Sequence, residues 1–147
     1  MKPITYVLLL CATLLSSCDD GRIAEEDFNV EEEGRVAKVE VKLEGQKSWP
    51  SGYSISIAGF SDNSPYAEIM KSIRTDENGQ ADVTLSGIPD NVKTLEVCVV
   101  NSVRRRVISF FTIDAPNTND TIRINAGTLN AGMFASIQKQ IFDKQCS

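Results

Sequence analysis

From Arg35 to Glu44 the chain alternates, with Val39, Val41 and Leu43 on one parity and Lys38, Glu40, Lys42 and Glu44 on the other. A helix would scatter these residues around its circumference. A strict period of two instead describes a strand with one face in a core and the other in water. Gly45 to Gly52, with Pro50, interrupts the pattern. Trp49 lies in that interruption and is expected to cover one end of the core. Tyr53, Ile55 and Ile57 then resume the alternation against Ser54 and Ser56, and Gly59 to Pro65 reads as a polar loop.

A third strand is expected over residues 66–75, although Ile69 and Ile73 share a parity that Met70 breaks. Asp76-Glu77-Asn78-Gly79 is a tight-turn signal, because Asn and Gly accept the positive φ that hairpin turns require. Ala81, Val83 and Leu85 alternate with Asp82 and Thr84 as a fourth strand, closed by Gly87-Ile88-Pro89-Asp90. The fifth strand has Leu95, Val97 and Val99 on one face and Cys98 and Val100 on the other, which places it centrally in a sheet. Asn101 to Arg106 is a turn. Its Arg104-Arg105-Arg106 triplet reads as a solvated loop tip, with an anion-binding patch as the alternative. Val107 to Ile113 is a sixth strand, Ala115 to Asp120 a loop, and Ile122 and Ile124 mark a short seventh.

Seven short strands with regular turn signals describe an all-β sandwich. Thr75-Asp76-Glu77-Asn78-Gly79, then Gly87-Ile88-Pro89, then Leu95-Glu96-Val97 resembles the carboxypeptidase-regulatory or transthyretin-like sandwich within residues 36–125. There a "T-D-x-x-G" hairpin leads to a strand, a "G-I-P" corner and another strand. These motifs are turn chemistry. The resemblance therefore implies a fold, and a binding, spacing or docking role on an exported protein, but no active site. The expected architecture is mainly β: a single immunoglobulin- or transthyretin-like sandwich of about seven strands with a short C-terminal helix.

The N-terminus supplies an address. Met1-Lys2 is a minimal positive region, Thr5 to Leu15 is apolar, and Leu15-Ser16-Ser17-Cys18 follows. Charge, apolar run and small residues in that order describe a secretory signal. The run is shorter than the roughly 20 residues a membrane-crossing helix needs. Leu-Ser-Ser-Cys resembles the lipobox of bacterial lipoproteins, which implies diacylglycerol on the Cys18 thiol, cleavage just before it and acylation of the new N-terminus. Each buried methylene contributes about 0.8 kcal/mol, so two or three acyl chains anchor stably. The expected division is a signal peptide over residues 1–17, an acidic tether over 18–34, the sandwich over 35–127 and a helical tail over 128–147.

The tether carries eight carboxylates against Arg22 within residues 18–33. Like charges with little apolar surface to bury keep such a segment extended. An acidic stretch after the lipid-bearing Cys resembles a surface-export signal of some Gram-negative lineages. Asp directly after that Cys resembles an inner-membrane retention signal in enterobacterial-type systems. The reading adopted is outer-membrane anchoring in the bacterial cell envelope, facing the periplasm or the surface.

Charge and composition exclude more than they assign. The net charge is −5, and losing Lys2 with the signal takes it to −6. That argues against nucleic acid as a partner. The chain contains no His, which removes Ser-His-Asp and Cys-His catalysis and the His ligands of most zinc and haem sites. Asp62, Asp76, Asp82 and Asp90 give no spacing that gathers them in one cleft, and Asp76-Glu77-Asn78 lacks the spacing of a known Ca²⁺ loop. No catalytic residue, metal or cofactor is therefore expected, and an enzyme is not. With Cys11 in the signal and Cys18 acylated, Cys98 and Cys146 remain. Cys98 reads as a small buried hydrophobe, and a Cys98–Cys146 disulfide is the alternative.

In the tail Met133, Phe134, Ile137 and Ile141 fall at helical spacing, and this stripe is expected to cap an open end of the sandwich. Ser136 to Cys146 also resembles the lead-in helix of small cytochrome-c-type modules, "I-Q-x-x-I-F-D-x-x-C" before C-x-x-C-H. Only the first Cys is present here, so that likeness implies a shortened haem lipoprotein that cannot itself hold haem in this way. The functional expectation is a lipid-anchored, non-catalytic binding or scaffolding module for an envelope protein or glycan. Whether Trp49, Tyr53 or Tyr66 line a binding surface is not legible from the sequence. The alternative is the N-terminal part of a c-type haem electron-transfer lipoprotein.

Overall fold

A computed structural model of the chain describes residues 34–145. Seven strands run β1 Arg35–Glu44, β2 Tyr53–Phe60, β3 Ile69–Ser72, β4 Gln80–Ile88, β5 Thr94–Asn101, β6 Arg106–Asp114 and β7 Ile122–Asn130, and helix α1 spans Met133–Gln145. They form a sandwich of two sheets, ordered β4-β1-β7 and β3-β2-β5-β6. This is the mainly β sandwich with a C-terminal helix that the alternation anticipates.

β1 is the centre of the smaller sheet, antiparallel to β4 and parallel to β7. Its odd positions Ala37, Val39, Val41 and Leu43 are buried, and they meet Ile55, Ile57, Leu95, Val97 and Val99 of the other sheet in one core. The charged face of β1 looks outward, where Lys38 pairs with Asp82 at 3.3 Å. The Asp76 turn forms as expected, with Oδ1 accepting from the backbone N–H of Asn78 and of Gln80, and Gly79 at φ 79°. A Cβ at Gly79 would stand 2.5 Å from the Leu43 carbonyl oxygen, so only glycine lets this turn close on β1.

Three strands differ from expectation, each for a packing reason. β2 continues through Gly59 and Phe60, the start of the expected loop, because both of its faces are covered there. Val92 presses on Gly59 from inside so closely that a Cβ would meet it at 2.9 Å. On the outside Ala58, Phe60, Ala67, Cys98 and Val100 form a second apolar cluster with Met70 against it. β3 shrinks to four residues because Tyr66 and Ala67 are drawn toward the β5–β6 turn, by a bridge from Tyr66 to Arg105 and a bond from Ala67 N–H to the Arg104 carbonyl. β7 runs well past Ile124, because a bulge opposite Glu40 and Val41 resets its parity so that Leu129 pairs with Leu43. Central β5 lies between β2 and β6 and is buried on both faces, as its two apolar parities require.

Arg35 shares the inward parity of β1 and is 6 % exposed. Its Nη1 donates to the carbonyls of Ala115 and Pro116 at 3.2 and 3.0 Å, and its Nη2 to those of Pro89 and Val92 at 2.6 and 2.9 Å. Those carbonyls belong to the β4–β5 and β6–β7 connections, both of which cross between sheets. R35A is expected to cost roughly 3–5 kcal/mol, since it orphans several carbonyls at once. R35K, a point donor without the guanidinium fork, should recover only part of this. Urea denaturation checks both, and a loss below about 1 kcal/mol for R35A would contradict this role of the guanidinium.

Candidate functional site

An apolar concavity lies where α1 meets the end of the sandwich. Gly45, at φ 74°, lets the chain turn tightly after β1, with Gly132 packed against it. A 3₁₀ turn over Gln46–Ser48 follows. Ser48 Oγ accepts from the Met133 N–H at 2.7 Å and fixes the start of α1. Trp49 donates its indole N–H to the Ala131 carbonyl at 2.6 Å and packs on the core, so it covers the core's end as expected. Its ring lies 5.9 Å from that of Tyr53 at a 42° tilt. Between them and the helix is a groove of about 260 Å³ lined by Trp49, Tyr53, Val107, Met133, Ile137 and Gln140.

The apolar stripe of α1 does not cap the sandwich, which corrects the expectation. The helix crosses that end through Met133, the buried Ser136 and Gln140, whose amide donates to the Val107 carbonyl at 3.4 Å. Each residue turns about 100° around a helix axis. Phe134, Ile141 and Phe142 therefore point away from the contact. Phe134 is 78 % exposed, Phe142 59 %, Ile141 47 % and Ile137 45 %. The helix that resembles a haem lead-in thus forms, but Cys146 lies outside the described residues.

A second constellation sits on the outer face of the larger sheet. Glu96 is buried at 3 % exposure and accepts from Arg106 Nη1 at 2.5 Å through Oε1, while its Oε2 meets no donor among the described residues. The same guanidinium stacks 4.9 Å above the Phe60 ring. Arg104, in the left-handed region at φ 63°, donates to the Glu68 carbonyl at 2.7 Å. All three arginines are exposed, as the solvated-tip reading expects, while Arg104 and Arg106 also hold neighbouring groups. The missed residues are Arg35 and Glu96. Each had a signal, Glu96 being a carboxylate inside an apolar strand with Arg106 ten residues on.

Cys98 lies beside this pair as a buried free thiol. Burial first, then the Glu96 carboxylate, pushes it up to about 12, with Arg106 opposing. At neutral pH it is a protonated hydrophobe and not a nucleophile.

The aspartates do not converge. Asp76 and Asp82 border a shallow polar hollow of about 550 Å³ with Glu40, Lys42, Gln80 and Asn125, and neither Asp62 nor Asp90 lines it. Among the described residues no group of three His, Cys, Asp or Glu could hold a metal ion. No described helix is long and apolar enough to cross a membrane. Tyr66 is exposed away from the groove, and Tyr53 lines it. Cys18, the signal and the acidic tether lie outside the described residues. In comparisons with known proteins, no family model matches the chain and no curated protein is significantly similar.

Removing Arg106 strands a buried carboxylate, so R106M is expected to destabilise the fold by roughly 3–5 kcal/mol, and the double variant E96L/R106M to regain most of it. Denaturant titration of both variants is the check, and equal losses would refute the pairing. For Cys98, iodoacetamide at pH 8 is expected to leave the native thiol unlabelled and to label it in urea, read by peptide mass. The folded thiol titrates near 12 against an ordinary 9.0, so its contribution to stability is complete below pH 9 and lost as pH rises toward 12.

Proposed function

We propose that this chain is a lipid-anchored, non-catalytic β-sandwich module of the bacterial cell envelope, held at the outer membrane through acyl chains on Cys18. The observation that carries this reading is Leu15-Ser16-Ser17-Cys18 placed directly after a short apolar run. Three further features support it. The acidic stretch that follows suits a spacer between membrane and domain. The chain has no His to serve as general base. The buried polar side chains Arg35 and Glu96 are spent on backbone carbonyls and on Arg106, in positions that hold loops rather than face a cleft.

The sandwich then acts by binding or positioning. Its outward polar hollow offers carboxylate, amide and ammonium groups in a shallow, solvent-facing array. That suits a protein or glycan of the envelope better than a small substrate needing enclosure.

Metabolic labelling tests the anchor. With radiolabelled palmitate, the wild-type chain is expected to incorporate label and C18A to accumulate as an unlabelled precursor. Label in C18A, or none in the wild type, overturns the reading.

A further inference from the structure

The exposed apolar face of α1 has no partner within the described fold. Single exposed apolar residues are ordinary, but Phe134, Ile137, Ile141 and Phe142 share one helix flank, and a contiguous patch marks a surface that meets something. We propose that this flank is a membrane-docking surface, which seats the helix end of the sandwich in the interface of the phospholipid bilayer that carries Cys18. The inference rests on the lipid-anchor reading and adds to it an orientation.

Three observations select a bilayer as the occupant. The first is reach. Sixteen residues separate Cys18 from Arg35 and can extend to roughly 55 Å. β1 leads from Arg35 to Glu44 over roughly 33 Å. Glu44 is where the chain reaches the helix end, since its carbonyl accepts from Ala131 N–H. The tether is therefore longer than the domain it must pass, and the helix end can rest on the membrane.

The second is charge. The helix sequence carries Lys139, Asp143 and Lys144, and the neighbouring turns at this end add exposed Lys47 and Arg105 against exposed Glu44, a local balance of +2. The chain as a whole is acidic, at −5. An apolar flank at a locally net-positive end of an otherwise acidic protein matches the pattern of interfacial helices on anionic lipid.

The third is chemistry at the depth of the headgroups. Tyr53 is exposed beside Trp49 at the mouth of the groove, and aromatic side chains with a polar edge favour the membrane interface. A flank this small would bind vesicles weakly by itself. Tethering raises its effective concentration at the membrane to the order of millimolar, where weak partitioning suffices.

The test uses the full lipidated chain reconstituted in vesicles of phosphatidylethanolamine and phosphatidylglycerol with brominated acyl chains. F134W places an emitter on the flank, and N91W places one on the exposed β4–β5 connection at the opposite end. Both substitutions are at exposed positions and should leave the fold intact. Relative to the unsubstituted chain, the added emission of F134W is expected to be blue-shifted and quenched by bromine at least about threefold more than that of N91W. In the F134W background, I141S/F142S should abolish that difference while the chain still sediments with the vesicles.

Equal quenching at the two positions overturns the docking and leaves the anchor standing. A blue shift without bromine quenching that grows with protein density assigns the flank to a second copy, and also overturns it. A wild-type chain that fails to sediment overturns the anchor and the docking together.

Discussion

The guanidinium of Arg35 closes the end of the sandwich at which β1 begins. Among the described residues it has no carboxylate partner. Its charge is met by four carbonyl oxygens, two from the β4–β5 connection and two from the β6–β7 connection. A sandwich is held together by its core, but its sheets can slide unless the crossings are fixed. Arg35 ties down two of the four crossings from the first residue of the central strand, so the ends of β4, β5 and β6 and the approach to β7 share one anchor. Planar donors aimed at several carbonyls suit Arg and no other side chain.

The larger sheet carries a second layer that a plain sandwich lacks. The loop after β2 and the turn after β5 fold over its outer face, bury Phe60, Cys98 and Val100, and lay Arg106 against Glu96. This layer makes β5 apolar on both sides and keeps the Cys98 thiol protonated. Chemically capable groups are thereby committed to structure. Among the described residues a polar sheet face and the apolar flank of α1 face outward.

Much of this was legible in the residues. The alternation in β1, β2 and β4, the Asp76 turn, the two-sided β5 and the covering role of Trp49 all follow from local pattern, since each depends on neighbours one to four positions away. Arg35 has the parity of Val39, but its acceptors lie 54 to 81 residues distant and no spacing names them. The bulge in β7 was illegible because it answers to the register of β1. For α1 the apolar stripe was readable, but the flank that meets the sandwich is set by Ser48, Gly45 and Gly132, which fix the angle at which the helix leaves β7.

The account depends most on how the mature chain begins. The proposed acylation of Cys18 would give the chain a membrane as its permanent neighbour, and that neighbour would account for both the acidic stretch and the exposed apolar helix. Mass spectrometry of the N-terminal peptide, from chain extracted from membranes, reads this directly. The account predicts a peptide that begins at Cys18 and carries diacylglycerol and an amide-linked acyl chain. A peptide beginning at Met1, or at any other residue without lipid, would contradict it.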